Sequence, residues 1–221
     1  MNKDLVEEMY LNKNTEYFSL EREIFKNSVI GKNLNILDIG CGTGILGKYF
    51  KENQNCKVYG VEINESAYQA AKINLDNVLK GNVESIDLKY PDNFFDVVIM
   101  GDVVEHLISP VDTINKIMPF LKIGGTIYIT VPNVRHWSVI KNLLFFDLWE
   151  YDTWGILDFT HLRFFTKKSI TNLFQRNNIY VKSASRMIQK KSKSSYFNFL
   201  TLGIFSGFLA SHTFLTLEKK G

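Results

Sequence analysis

The chain of 221 residues contains little cysteine, with only Cys41 and Cys56. Two cysteines provide no disulfide framework, which fits a protein of a reducing compartment. The first eight residues also lack the apolar core of a signal peptide. Together these absences predict a cytoplasmic location.

An excess of charge of either sign is also absent. The formal net charge of +3 is too small to indicate a nucleic-acid partner, and no basic stripe with interleaved aromatic residues occurs. One short basic run comprises Lys190, Lys191 and Lys193, and the ordinary interpretation of such a run is a solvated loop. We therefore expect no nucleic acid to bind.

Apolar residues are present in the proportion that a folded core requires, at 45% of the chain, and they recur in short runs. Strands separated by helical patterns predict βαβ units and a parallel sheet covered on both faces. The predicted strands are 35–39, 57–62, 78–81, 95–100 and 125–131, the last preceded by a Gly124-Gly125 turn, and the predicted helices are 45–52, 65–75 and 111–121.

After Pro132 this alternation stops. Residues 133–165 are rich in aromatic side chains without clear periodicity, a pattern that is usually core but can also shape an apolar or sugar-stacking pocket. A helix follows at Lys167–Arg176, with Thr166 as its N-cap. Strands are predicted at 180–188 and 213–219.

One long stretch, 197–217, has no formally charged residue and is about long enough to span a bilayer. Polar side chains interrupt it, and they would need partners in lipid. The pattern favours an amphipathic helix near 197–210 and a buried strand near 212–218. With the basic run before it, the segment 190–210 suits peripheral contact with an anionic membrane surface, although packing against the sheet is the favoured alternative.

The turn after the first strand, Asp38 to Gly44, contains three glycines. Because glycine has no Cβ, the backbone there can approach a ligand closely, and the following helix offers N–H groups. Residues 42–47 also match the GxGxxG fingerprint of dinucleotide-binding proteins, so a NAD-binding oxidoreductase is one alternative.

Polar side chains at the ends of the strands favour a different ligand. Asp38 would repel a pyrophosphate but suits an ammonium group. Glu62 ends the second strand, where a carboxylate can accept both hydroxyls of a ribose. Asn82 and Asp102 follow the third and fourth strands, at the sheet edge where ligands of open α/β sheets bind.

These motifs resemble the class I S-adenosylmethionine-dependent methyltransferase family. The similarity covers ILDIGCGTG (36–44), VYGVEIN (58–64), GNVESIDL (81–88), FFDVVIMGDVVEHL (94–107) and LKIGGTIYITVPN (121–133). It implies a Rossmann-like, doubly wound seven-stranded sheet, mostly parallel with an antiparallel last strand. It implies S-adenosylmethionine as cofactor, bound by Asp38, Gly40, Gly42, Gly44, Glu62, Ile63, Asn82, Val83 and Asp102.

One departure concerns Asn82, since the family most often has Asp at this position. An asparagine can still accept from the adenine amino group through its carbonyl oxygen.

Two histidines are candidates for catalysis, His106 and His161. If the segment after Gly101 is helical, Asp102, Glu105 and His106 share one face, and His161 could close a metal site with them. A similar arrangement occurs in metal-dependent O-methyltransferases of the ubiquinone pathway. We favour the interpretation without a metal, in which Glu105 and His106 cap or orient the segment.

His161 lies in Thr160-His161-Leu162-Arg163-Phe164-Phe165-Thr166, which resembles a subgroup associated with bacterial glycan modification. The hypothesis is that His161 is a general base or binds the acceptor hydroxyl, the alternative being a structural loop histidine. Arg163 is expected to bind an anionic acceptor group or form an ordinary ion pair.

The resemblance thus predicts methyl transfer to a hydroxyl, or an amine, of a small molecule or glycan. The alternatives are a quinone-type metal-dependent O-methyltransferase and the NAD-binding oxidoreductase. We predict one domain, 1–221, composed of N-terminal helices (1–30), a cofactor-binding core (31–132), a substrate-side insertion (133–165) and a final helix and strand pair (166–221).

Overall fold

The structure is a computed structural model that describes residues 23–177, 179–188 and 192–221. Residues 1–22 of the predicted N-terminal helices lie outside these ranges, as do Lys190 and Lys191. The described chain begins with helix α1 and continues in the predicted alternation. The elements are α1 (Glu23–Ser28), β1 (Asn35–Ile39), α2 (Ile45–Gln54), β2 (Lys57–Glu62), α3 (Glu65–Asn74), β3 (Asn77–Lys80), β4 (Phe95–Gly101), α4 (Pro110–Ile117) and β5 (Leu121–Pro132).

Seven strands form one sheet in the order β3-β2-β1-β4-β5-β7-β6, with β6 at Val181–Met187 and β7 at His212–Glu218. The first five strands are parallel, and β7 lies antiparallel between β5 and β6. The predicted fold class, a Rossmann-like mostly parallel sheet with an antiparallel last strand, is confirmed. The carboxyl ends of β1, β2, β4 and β5 therefore share one edge.

Both faces of the sheet are buried, which explains why its central strands are almost wholly apolar. In β1, Ile36 packs in the cluster on one face and Leu37 in the cluster on the other, because successive strand residues point to opposite sides. Val58 and Val61 divide in the same way in β2. Two apolar layers thus hold the central strands rigidly.

The prediction of a Gly124-Gly125 turn before the strand is wrong, because both glycines lie inside β5. That strand begins at Leu121, opposite Phe95, and its pairing resumes with Thr126 opposite Val97. Residues 122–125 thus face a single residue of β4 in an irregular bulge. Gly124 takes a left-handed backbone conformation there, with φ +77°.

The aromatic region after Pro132 contains a helix that its sequence did not predict, α5 at Trp137–Phe146. Many of its aromatic side chains, including Phe145, Phe146 and Trp154, are exposed, so the expectation that they form core is wrong. The next helix, α6 at Lys167–Arg176, has the expected Thr166 cap, strengthened by a reciprocal bond with Ser169.

The region predicted as one amphipathic helix contains two short ones, α7 at Lys193–Leu200 and α8 at Ser206–Leu209. Left-handed φ angles at Leu202 and Gly203 separate them, and a helix cannot continue through such residues. The buried strand that follows is confirmed as β7. In the described part of the chain, no helix is long and apolar enough to cross a membrane.

Candidate functional site

The turn after β1 depends on three glycines in the left-handed region, Gly40 (φ 66°), Gly42 (φ 55°) and Gly44 (φ 76°). L side chains rarely adopt these angles. Gly40 is also closely covered, because a Cβ there would lie 2.6 Å from Cγ2 of Val103. The turn therefore brings bare backbone to the edge of the sheet, immediately before the first residue of α2.

Glu62, at the end of β2, ties this turn to the neighbouring strand. One carboxylate oxygen accepts the backbone N–H of Gly42 and the other accepts that of Asn64, each at 2.8 Å. Each carboxylate oxygen has two acceptor sites, so the predicted role toward ribose hydroxyls is compatible with both bonds. The side chain thus has a structural role at the site that its sequence position did not reveal.

The electrostatic environment of the turn is negative. Asp38 and Glu62 are both buried beside it. Burial, followed by the charges of Asp38 and Glu62, raises the pKa of the Cys41 thiol well above its ordinary value. A site with two buried carboxylates favours a cationic ligand group and opposes a pyrophosphate, which supports the interpretation of Asp38.

Asn82 follows β3 and is buried at the same edge. Its Oδ1 accepts the backbone N–H of Glu84 at 2.9 Å, while its buried Nδ2 has no hydrogen-bond partner within the described ranges. The unsatisfied group is therefore a donor, which suits a ring nitrogen of adenine. The carbonyl oxygen keeps a second acceptor site, so its predicted contact with the adenine amino group is compatible with the bond to Glu84. A buried donor of this kind fits a nucleoside ligand. Of its predicted companions, Val83 is buried in the core and Ile63 is half-buried after β2.

Asp102 lies directly after β4 with a left-handed φ of 53°. Its backbone N–H donates to the carbonyl and hydroxyl oxygens of Thr130, each at 3.1 Å, and the Thr130 hydroxyl donates to its carboxylate at 2.8 Å. The carboxylate is also 3.7 Å from Nε2 of His212. Sequence reasoning did not identify His212 as a site residue, because it is 110 positions away and reaches Asp102 only through the antiparallel return of β7.

The predicted helical face of Asp102, Glu105 and His106 does not form. Only one 3-10 turn, Val104–His106, follows Asp102, so the three side chains do not align. The structure instead brings together Glu105, His106 and His161, whose candidate ligand atoms lie within 4.8 Å of one another. Asp102 is not a member of this buried cluster.

Backbone carbonyls orient both histidines of the cluster. Nδ1 of His106 is 3.1 Å from the Thr160 oxygen, and Nδ1 of His161 is 3.0 Å from the Ile156 oxygen. Each Nδ1 therefore carries a proton, which places the lone pair of the neutral ring on Nε2. Nε2 of His161 is 3.9 Å from a carboxylate oxygen of Glu105.

His106 is neutral at physiological pH. Burial, together with the nearby His161, lowers the pKa of its imidazole to about 4. Such a group is a poor proton acceptor but can serve as a neutral ligand. Of the two histidines predicted for catalysis, it is therefore the weaker general-base candidate, because its conjugate acid forms only in acid.

Arg163 forms no ion pair within the described ranges, and its binding of an anionic acceptor group stays a prediction. Its guanidinium donates to the backbone carbonyls of Leu107, at 3.1 Å, and Ile108. The backbone N–H groups of Leu162 and Arg163 donate to the carbonyl of Glu105 at 2.9 and 3.0 Å. These contacts clamp the segment that carries His161 onto the 3-10 turn that carries His106.

The sequence profile of a family described as "Methyltransferase domain" matches residues 9–184. The chain is 30% identical over 105 residues to a ubiquinone biosynthesis O-methyltransferase of Nitrosospira multiformis, covering 45% of this chain and 43% of that protein. It is 37% identical over 83 residues to protein arginine N-methyltransferase 1 of Chlamydomonas reinhardtii, covering 34% and 24%. The chain thus spans less than half the length of these two relatives.

Solved structures show the same fold. A SAM-dependent methyltransferase from Archaeoglobus fulgidus superposes with a TM-score of 0.65 at 16% identity, covering 99% of this chain and 100% of that one. At this identity the likeness concerns the fold alone.

Proposed function

We propose that the chain, which belongs to the methyltransferase-domain family, transfers a methyl group from S-adenosylmethionine to a hydroxyl group, or an amine, of a small molecule or glycan. One relative is named as an O-methyltransferase of ubiquinone biosynthesis and another as an N-methyltransferase of protein arginine. Because these names imply different acceptors, the proposed acceptor class rests on the geometry of the site.

S-adenosylmethionine supplies a methyl group on a positively charged sulfur, which is already activated for displacement. The chain's contribution is to position it. Asp38 would hold the ammonium group, Glu62 the ribose hydroxyls and the free amide donor of Asn82 the adenine. Such positioning contributes roughly 7–11 kcal/mol to lowering a barrier of this type.

The observation that carries the proposal is a half-exposed aromatic cluster beside His161. The ring of Phe164 lies 6.4 Å from the His161 ring, and Trp149 and Tyr151 pack on Phe164 at 5.2 and 6.1 Å. Trp149 and Tyr151 remain exposed on their outer sides. Flat aromatic faces of this kind bind sugar rings or planar acceptors, with few polar groups to fix orientation.

His161 is the residue for which we propose the base role. Its Nδ1–H is fixed on the Ile156 carbonyl, so Nε2 would accept the proton of an acceptor hydroxyl. The Glu105 carboxylate, 3.9 Å away, would stabilise the imidazolium that forms. An amine acceptor needs no such base once it is unprotonated.

The test uses cofactor with a radiolabelled methyl group and an extract of the producing organism, separated into small-molecule, glycan, protein and RNA fractions. Label in the small-molecule or glycan fraction supports the proposal, whereas label confined to protein or RNA contradicts it. With the labelled acceptor in hand, His161→Ala should lower kcat by about 100-fold or more while leaving the affinity for S-adenosylhomocysteine unchanged. The matched control is His136→Ala, which removes another histidine, one that is half-buried and contacts Ser138.

A second candidate, a metal-dependent O-methyltransferase of the quinone type, is favoured by the Glu105–His106–His161 cluster. One carboxylate and two imidazoles form a donor set that suits manganese, iron or zinc. Carbonyl oxygens on both Nδ1 atoms are the outer contacts that ligand histidines usually have. A divalent ion there would act as a Lewis acid toward an acceptor hydroxyl.

Calorimetry separates the two candidates. Protein treated with a chelator and dialysed is titrated with Mn²⁺, Fe²⁺ and Zn²⁺, alongside Glu105→Gln and the surface control Glu52→Gln. Binding that Glu105→Gln abolishes and Glu52→Gln retains favours the metal-dependent enzyme. Absence of binding, with undiminished turnover in chelator, excludes it.

A further inference from the structure

Helix α7 and the loop after it expose an unusual amount of apolar surface. None of the residues of α7 is buried. Phe199 is 76% exposed and Leu202 is 90% exposed, and Tyr196, Leu200 and Ile204 are also exposed. Contiguous apolar surface of this kind generally marks a site of interaction. We call residues 196–205 the apolar surface.

The fold holds the apolar surface in place. Nδ2 of Asn133, directly after β5, donates to the carbonyls of Gly207 and Ala210 at 3.0 and 2.7 Å. The guanidinium of Arg135 lies 4.3 Å from the ring centre of Phe208. The apolar surface therefore leads directly into a helix, α8, that is anchored at the carboxyl end of β5, on the edge of the sheet where the glycine turn lies.

Charge is strongly segregated along the part of the sequence that contains this surface. Residues 159–217 contain nine Lys and Arg side chains and no Asp or Glu. Three described cations border the surface, since Arg135 stacks on α8, Arg186 contacts Ser206 at 3.3 Å and Lys193 begins α7. Within the described ranges, none of these three side chains makes an ion pair. Their charges are thus available to an anionic partner.

We propose that the apolar surface docks on the headgroup region of an anionic phospholipid membrane. Exposed Phe, Tyr and Leu side chains bordered by Lys and Arg are the composition of interfacial segments. Each nearby cation adds electrostatic attraction to an anionic bilayer. A second copy of the chain would bring like charges together, which opposes self-association through this surface.

Docking in this orientation would turn the carboxyl edge of the sheet toward the bilayer. Helix α5 leaves the same strand end and exposes Phe145 and Phe146, a second apolar element that can enter the interface. The eight residues of α7 are too short to span a bilayer, so the contact is peripheral. An acceptor carried in or near the membrane would then meet the site without leaving it.

The experiment is sedimentation of the full chain with phosphatidylcholine vesicles, with and without phosphatidylglycerol. Wild type should bind the anionic vesicles, more weakly as salt is added. The double variant Phe199→Ser/Leu202→Ser should lower the partition coefficient by about tenfold or more, because two large apolar side chains are removed from the interface. Arg186→Glu/Lys193→Glu should weaken binding to the anionic vesicles.

The matched control is the double variant Ile30→Ser/Ile73→Ser. Its isoleucines are 86% and 85% exposed, but they lie outside the apolar surface, Ile30 just after α1 and Ile73 in α3. This control should bind vesicles as wild type does. The proposal is overturned if wild type does not bind anionic vesicles or if Phe199→Ser/Leu202→Ser binds undiminished. It is also overturned if light scattering shows a dimer that this variant dissociates. Affinity for S-adenosylhomocysteine, measured in parallel, reports separately on the cofactor site.

Discussion

Gly40 provides the sharpest test of how the cofactor turn is built. An alanine there would carry two costs. Its φ of +66° lies in the left-handed region, which costs an L residue about 1–2 kcal/mol. Its Cβ would also meet Cγ2 of Val103 at 2.6 Å, and forcing packed atoms apart costs about 1–3 kcal/mol. Gly40→Ala should therefore lower the free energy of unfolding by about 2–5 kcal/mol.

Gly124 is a matched control for this substitution. Its φ of +77° is similar, but a Cβ there would meet nothing within 4 Å. Gly124→Ala should therefore cost only the backbone strain, about 1–2 kcal/mol. The difference between the two variants isolates the close approach of Val103 to the turn.

Urea denaturation followed by tryptophan fluorescence measures the two stabilities, and calorimetry with S-adenosylhomocysteine measures the site. Gly40→Ala should lose at least about tenfold in affinity, which corresponds to about 1.4 kcal/mol, because displacing Val103 or the turn misplaces the backbone beneath the ligand. Gly124→Ala should bind as wild type does. Equal stabilities of the two variants would refute the steric argument, and full affinity in Gly40→Ala would refute the placement of the cofactor.

Three further predictions concern individual side chains. The pKa of His106 is lowered to about 4, so the unfolded chain binds a proton more readily than the folded chain does. Stability should therefore be lost as pH falls from about 6.5 toward 4. In chelator, the free energy of unfolding from urea melts should fall between pH 8 and pH 5 by about 2 kcal/mol more in wild type than in His106→Asn. A smaller pH effect in wild type than in the variant would contradict the assigned burial. Asn82→Ala should weaken S-adenosylhomocysteine binding about tenfold by calorimetry, since it removes the amide donor, and unchanged affinity would remove Asn82 from the site. Arg163→Met should destabilise the fold by about 1–3 kcal/mol in urea melts, through two lost bonds to carbonyls, without altering cofactor affinity; a loss of affinity alone would instead indicate a binding role.

The sequence alone does not show whether the side chains of its aromatic and apolar segments are buried or exposed. In residues 133–165 and 196–205 the sequence is as apolar as a core, and local pattern does not distinguish a buried side chain from an exposed one. Phe145 and Phe199 are exposed because the strand ends from which their helices leave lie at the rim of the sheet. That position depends on the whole topology and so lies beyond any local pattern.

In the cofactor site, too, some features are predictable from local sequence and others depend on the tertiary structure. The alternation of strands, the glycine turn with Asp38 and the Thr166 cap were predictable, because short-range sterics, periodicity and capping act over a few residues. The sequence pattern already suggested that His161 could join Glu105 and His106, and the structure brings these three side chains together without Asp102. Only the tertiary structure shows that His212 reaches Asp102, because segments distant in the chain meet there through long-range packing. It also replaced the predicted helical face after β4 with one 3-10 turn, since the clamp from the Arg163 segment and the contacts with Thr130 outweigh weak local helix preference.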